Sequence, residues 1–456
     1  MPYTGVQFAA ARAQIALRLA DDGSAYQTAN QFWLDAEIGL YLVEALQVWS
    51  ALTGYWRNLG TLTVPANNPY FTLANLQNSS GNLINFGPST LQMLYLMQYH
   101  LLEPVSNAGT WAGTEMFSYA QISAAIQRRA DQFAVDTGYP MAQQTVPGPI
   151  PPIGKMPLTA LAGFVDLRRA AWIDTTSKVS TPMISGDEFE FNAFSNGWQQ
   201  QPGVPSEYSI AVTPPLSLQV KPPPLANGSV DALYTATTQI AALPVDSPIA
   251  ILPSDFGWAI KWGALADLLN IESEAKDAAR AAYCQQRYDQ GVEACRMAAT
   301  VMQVYCNGVQ IPLKALEDLD RWENNWQNAP KGPPQAVGVA GLNMFALQPT
   351  PDVAYQLSVD AVCSATIPVA DTDFLQIGPE ELEAIYGYAQ HIAAFKMGGE
   401  EFTATLPLLE AFIKAATLQN ARLATASSFA RFLVDRESRA EAMAPRISGV
   451  EAGSNQ

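Results

Sequence analysis

Leu216-Ser-Leu-Gln-Val-Lys-Pro-Pro-Pro224, followed by Val230-Asp-Ala-Leu-Tyr234, decides the reading of the fold, because the chain repeats its pattern. About 126 residues later, Leu342-Asn-Met-Phe-Ala-Leu-Gln-Pro-Thr-Pro351 precedes Leu357-Ser-Val-Asp-Ala-Val362. Each is an alternating apolar run, a Pro-x-Pro corner and a returning alternating run, which is the period of a half-buried strand. Leu252-Pro-Ser-Asp-Phe256 then opens a helical pattern after the first, and Gly378-Pro-Glu-Glu-Leu382 opens one after the second. The same order twice points to an internal duplication, and a duplicated unit builds a scaffold more readily than a catalytic cleft.

Working outward, residues 6 to 20 have an amphipathic helical period. Asp35 is expected to cap a second helix whose apolar positions include Ile38, Tyr41, Leu42, Leu46 and Trp49, closed by Gly54. Leu59 to Val64 reads as a short strand, and helices are expected from Pro88-Ser89 to Leu102 and from Tyr119 to Val135. Six prolines between Pro140 and Pro157 predict a linker or extended arm. Glu188 to Phe191, Tyr208 to Val212, Leu216 to Val220 and Val230 to Tyr234 read as strands of an antiparallel sheet or small barrel, with Asn227-Gly228 turning between the last two. Asp255 to Asn270 is apolar almost all round, as in a helix buried between layers. A long helix is expected from Asp277 to Tyr305, another from Pro379 to Met397, and a last one from about Glu410 to Leu433.

The fold class expected is α+β: a mainly helical core with two inserted antiparallel β units. The divisions are 1–139 for the N-terminal helices, 140–245 for the Pro-rich arm and first β domain, and 246–313 for a helical hairpin. A second β unit would occupy 314–375, with C-terminal helices and a polar tail over 376–456.

The chain has 456 residues, 48% of them hydrophobic and 15% charged, a globular composition with enough length for more than one core. Forty-two acidic against 25 basic residues give a net charge of −17, which argues against a nucleic-acid grip built on clustered cations. Ala36 to Trp56 is the most apolar stretch, but Glu37 and Glu44 interrupt it with helical period, so it reads as buried helix and not as a membrane span. The N-terminus carries no apolar signal core, so the chain is expected to stay in the cytoplasm where it is made.

Raw material for catalysis is thin. His100 and His391 are the two histidines, and neither a phosphate-cradling loop, a dinucleotide fingerprint nor a nucleophile elbow is present. His391 is expected to be a hydrogen-bonded core residue. Cys284, Cys295 and Cys306 are spaced eleven apart, as on one helix face, and with Cys363 do not make a metal-ligand pattern. Glu188 and Glu190, beside Asp187, are a carboxylate pair by count, but their alternation with Phe189 and Phe191 reads as a half-exposed strand. No catalytic, cofactor or metal residue is assigned.

Phe345-Ala-Leu-Gln-Pro-Thr-Pro-Asp352, Tyr355-Gln-Leu-Ser-Val359, Asp371-Thr-Asp373 and the helix from Gly378 to Lys396 together resemble the head–tail adaptor proteins of bacteriophages, the connector or tail-tubular family docked beneath the portal. Phe32-Trp-Leu-Asp-Ala-Glu-Ile38 with Glu44-Ala-Leu-Gln-Val-Trp49 is similar to the helical opening of phage neck adaptors. The resemblance touches about two thirds of the chain, in the order of its motifs. It implies a non-enzymatic virion protein, assembled in the host cytoplasm, forming a homo-oligomeric ring (a dodecamer in the family) between portal and tail or nozzle proteins. DNA would pass through its lumen without specific binding, and an acidic lumen would keep that polyanion sliding. Phe429, Phe432 and Leu433 are the expected portal-facing residues, against the plainer reading that they cover the protein's own core. Two other readings stand beside this one: a collar or tail-attachment protein using the Pro-rich sheet as a binding module, and a carbohydrate-active enzyme in which Glu188 or Glu190 is essential.

Overall fold

A computed structural model describes residues 5–19, 32–77, 89–102, 116–149, 154–194, 197–211, 216–237, 252–272, 276–298, 301–322, 326–327 and 329–422. The chain enters through α1 (Phe8–Leu19) and α2 (Asp35–Thr53), then β1 (Arg57–Val64) and β2 (Tyr70–Thr72). Helices α3 (Thr90–His100) and α4 (Tyr119–Thr137) follow, then β3 (Met141–Pro147), β4 (Lys155–Pro157), β5 (Phe164–Asp174) and β6 (Ser180–Ser185). A short helix, α5 (Glu188–Phe194), leads to β7 (Glu207–Ala211), β8 (Ser217–Lys221) and β9 (Gly228–Ala236). Next come α6 (Gly257–Leu269), α7 (Ala278–Met297), β10 (Val301–Cys306), β11 (Val309–Ile311), β12 (Leu313–Ala315) and α8 (Leu316–Trp322). The chain ends its described part with β13 (Ala336–Ala340), β14 (Met344–Gln348), β15 (Tyr355–Val362), α9 (Pro379–Ala394), α10 (Gly399–Thr403) and α11 over 406–422. Helices and largely antiparallel sheets together make the fold α+β.

Seven strands form one sheet in the order β3-β9-β5-β6-β7-β8-β4. The remaining strands form β1-β15-β10-β11 and β12-β13-β14-β2. Pro312 stands between β11 and β12 and has no N–H for a ladder, so one run of chain is divided between two sheets. Joined across that proline, the order is β1-β15-β10-(β11/β12)-β13-β14-β2, strand for strand the order of the first sheet. Pairing senses agree as well. Strand β6 runs parallel to β7 and β12 parallel to β13, whereas the other neighbours are antiparallel.

Details of register recur too. Met141 pairs with Thr235 and Arg57 with Val362 at the start of equivalent ladders. A bulge between Leu167 and Arg169 in β5 matches one between Val301 and Gln303 in β10. At the Pro-x-Pro corners, Ser206 N–H donates to the Lys221 carbonyl and Gly203 N–H to that of Pro223. Gln335 N–H donates likewise to Gln348, and Gly332 N–H to Thr350. Both corners carry a cis peptide, before Pro222 and before Pro349. The helices leading in close alike: Gly54 and Gly138 sit at φ 58° and 66°, where a residue without Cβ is unstrained, and the Thr53 and Thr137 hydroxyls donate to the carbonyls of Trp49 and Phe133.

We call α3, α4, β3–β9, α6 and α7 the inner unit, and α1, α2, β1, β2, β10–β15, α9 and α11 the outer unit. The inner unit lies wholly between β2 and β10 of the outer one. One apolar core joins the helices of both, including Trp49, Trp262, Tyr288, Tyr388 and Phe412, and each sheet has its own core.

Several expectations need correction. The 140–157 stretch is not a free arm: Met141–Pro147 and Lys155–Pro157 are paired strands, each an edge of its sheet, where proline is tolerated. Glu188–Phe194 is a helix, because the Asp187 carboxylate accepts from Phe189 N–H at 3.1 Å and Glu190 accepts from Asp187 N–H, a local start signal that outweighs the alternation. Asn227-Gly228 does not join neighbouring strands, since β9 pairs with β3 and β5, not with β8. Helix α7 stops at Met297, where Ala298 turns extended, and Val301–Cys306 becomes a strand against β15. Cys306 is therefore a strand residue, while Cys284 and Cys295 stay on the helix. Helix α2 is preceded by Leu34 as its cap, with Asp35 inside and paired to Arg12. The boundary between 313 and 314 cuts through the strands of the second β unit, which begins at Arg57 and resumes at Val301.

Candidate functional site

The most elaborated chemistry lies where the two units meet. At the helical end, Lys261 of α6 and Glu44 of α2 are fully buried and in contact at 2.5 Å. Trp262 Nε1–H donates to the other Glu44 oxygen at 3.0 Å, and His100 Nε2 lies 3.3 Å from the Lys261 ammonium. The imidazole is held between Tyr41 and Trp262, with ring centroids 5.2 Å away on both sides. Burial, then the neighbouring Lys261 charge, holds His100 well below the ordinary histidine range; burial also lowers Lys261. His100 is thus a neutral aromatic spacer beside an ion pair at physiological pH.

A second cluster joins α7 to α9. Tyr283 O–H meets His391 Nε2 at 2.8 Å, and His391 Nδ1 meets the Thr405 hydroxyl at 2.8 Å. That hydroxyl donates to the Phe402 carbonyl, so Nδ1 carries the proton and Nε2 accepts. Burial, with Arg287 nearby, lowers His391 to about 3. Arg287 donates to Tyr388 at 2.7 Å and lies over the rings of Trp258 and Tyr388. A third contact buries Asp255, whose carboxylate accepts from Ala365 N–H and bonds Ser50; burial pushes it up to about 7.

At the sheet end, Arg169 of β5 makes a two-pronged pair with Asp320 of α8, at 2.7 and 2.9 Å, and donates to the Tyr70 hydroxyl at 2.8 Å. Trp326 Nε1–H also donates to Asp320, and Gln327 bridges Tyr70 and Asp231. Asn343 donates to the Met141 carbonyl and accepts from Met141 N–H, completing the edge of β3 as another strand would. Gly341 (φ 64°) brings the β13–β14 turn against the inner unit: a Cβ there would stand 2.3 Å from the Tyr139 carbonyl. A cavity of about 570 Å³ opens beside this junction, lined by Tyr139, Arg168, Arg169, Tyr208, Arg296 and Asp320.

These groups are positioned by packing on all sides and bury charge in matched sets, which is the chemistry of a fixed joint. Among the described residues, no three His, Cys, Asp or Glu side chains are grouped to hold a metal ion. Burial pushes the Cys295 thiol up to about 12 and raises Cys284, away from reactivity at neutral pH. Glu188 is half-buried and Glu190 exposed, and they stand two apart on α5, so their side chains diverge around the helix. His391 is the buried, hydrogen-bonded residue expected. Phe429, Phe432 and Leu433 lie outside the described residues. Among those residues no helix is long and apolar enough to cross a membrane.

Sequence reasoning placed Glu44 on a buried helix without a partner for it, and passed over Lys261 and Arg169. For Glu44 and Lys261 the available signal was a charge within an apolar stretch of helix, since such a residue is buried only with a partner; Arg169, on a strand that also carries Asp166 and Arg168, offered no such signal. Compared with models of known protein families and with curated proteins, the chain matches none.

Proposed function

We propose that the chain is a structural protein of a bacteriophage virion, a head–tail adaptor made of two copies of one helix–sheet–helix unit. It would form a homo-oligomeric ring that joins portal to tail and lines part of the DNA channel. The observation that carries this reading is the recurrence of strand order, bulge, corner hydrogen bonds and helix-closing glycines in two units of one chain. A repeated rigid unit with a fixed internal joint suits a load-bearing ring, and the adaptor motifs quoted above fall on the same elements. The charge of −17 suits a wall past which DNA slides.

Two units per chain change the subunit arithmetic. A ring with the twelve positions of the resembled family would be completed by six chains of 49.2 kDa. The test is mass measurement by light scattering with negative-stain imaging, for the protein alone and mixed with its neighbouring portal and tail proteins. Closed rings of six chains with an axial opening are expected. A protein that forms no ring, alone or on a portal, would exclude the adaptor role.

A further inference from the structure

The joint between the units is one-sided. In α2, Glu44 and Gln47 are buried where the helix meets Met93 and Leu96 of α3 and Trp258 and Lys261 of α6, and Val43 and Val48, beside them on the same face of the helix, are buried too. The matching ends of α2 and α4, at Thr53-Gly54 and Thr137-Gly138, set the correspondence between the two helices. The same face of α4 is then Gln127, Arg128, Asp131 and Gln132, with Val135 one turn beyond. Arg128, Gln132 and Val135 are exposed there, Val135 at 59%.

The other half of the joint has an open counterpart too. Tyr288 of α7 packs edge-on against Phe133, as Phe412 of α11 packs against Trp49. Arg287, beside Tyr288, is buried in the joint, whereas Ala411, beside Phe412, is exposed. Thus the outer unit presents its α2 face to the inner unit, but the inner unit's α4 packs on α6, α7, β5 and β9 of its own unit. Such a heterologous contact uses one half of each surface and leaves both complements open, and repeating it builds a ring or a filament.

We infer that the exposed α4 face is the docking site for a second copy of this chain, which brings to it the face formed by α1, α9 and α11 of its outer unit. The occupant follows from continuity with the joint inside the chain: the same kind of face already seats on the same kind of groove. This rests on the two-unit reading above, but not on the virion role.

The test uses two full-length variants. Gln132→Arg with Val135→Arg blocks the α4 face, and Ala411→Arg blocks the α11 face; all three positions are exposed, so circular dichroism and amide exchange should match the parent, and Gln132→Arg alone replaces the pair if it does not fold. Sedimentation over a concentration series should show self-association of the parent and about 100-fold weaker association of each variant. Mixed one to one, the variants should form dimers that do not grow, because one good pair of faces remains. The inference is overturned by a parent that stays monomeric at every concentration, by a variant that assembles like the parent, or by a mixture that stays monomeric. Rings insensitive to these substitutions would spare the adaptor reading and remove this interface. Dimer complementation without portal-bound rings would do the reverse.

Discussion

Replacing Lys261 with Met removes one member of the most deeply buried ion pair and leaves the Glu44 carboxylate in the joint between α2 and α6. Breaking such a pair costs about 3–5 kcal/mol, because the remaining charge has lost its counterion in a place water does not reach. Two features of this site reduce the figure. The Trp262 indole still donates to Glu44 at 3.0 Å, retaining about 1 kcal/mol, and Met nearly matches the volume of the lysine stem. The expected cost is therefore about 3 kcal/mol. Adding Glu44→Gln neutralises the stranded group while keeping an acceptor for Trp262, so the double variant should recover about 2 kcal/mol of that loss. Native-state hydrogen exchange of amides in α2 and α6 reads the opening free energy of this joint without requiring the whole chain to unfold at once. A Lys261→Met protein within 1 kcal/mol of the parent would refute the reasoning. So would a double variant no better than the single one, since the loss would then be packing and not charge.

Other outcomes follow from the same structure. Arg169→Ala should cost about 3–5 kcal/mol in denaturant unfolding, because it strands Asp320 and Asp231, and Arg169→Lys should recover only part of it, having no fork for Asp320; full rescue by Lys would discount the two-pronged geometry. Asp255 is raised from 3.8 to about 7, so between those values the folded chain holds a proton that the unfolded chain has released. Stability should fall with rising pH across that window, by about 4 kcal/mol at most, and level off above pH 7. Asp255→Asn should remove this slope, and a difference between variant and parent that stays constant from pH 4 to 7 would contradict it. Gly341→Ala, placed at φ 64° with a Cβ against the Tyr139 carbonyl, should lower stability by about 2 kcal/mol or more, read as a drop in thermal midpoint; an unchanged midpoint would mean the turn shifts freely.

Period and punctuation made most elements legible. The stripe from Ile38 to Trp49, the Gly54 stop and the apolar run from Phe256 to Leu269 are local signals, and each is a helix where it was expected. The two Pro-x-Pro corners were legible for the same reason, since a proline with a strand on each side constrains the chain whatever surrounds it. What failed was non-local. Pro140 to Pro157 looks like a tether until β9 and β8 are there to pair with it, and Val301–Cys306 continues a helical stripe until β15 draws it into a ladder. The joint between the units was hidden for a similar reason. Glu44 and Lys261 are far apart in sequence, and nothing near either residue indicates the other. That one unit is inserted in the other was beyond sequence reading too, because the outer unit's first two strands stand apart from the rest of their sheet.

The placing of the inner unit between β2 and β10 has a consequence for how the protein is made. Arg57 must pair with Val362, so β1 and β2 leave the ribosome about three hundred residues before their sheet can close. At roughly 5–20 residues per second the wait is tens of seconds. The inner unit, from α3 to α7, is contiguous, and it can form its sheet and helical hairpin while the outer strands remain single. Its helices then offer α2 a surface on which to settle before β15 and α9 have been synthesised. Birth order thus favours an assembly from the inside outward, with the later-made C-terminal half closing around a nucleus that its own chain has already delivered.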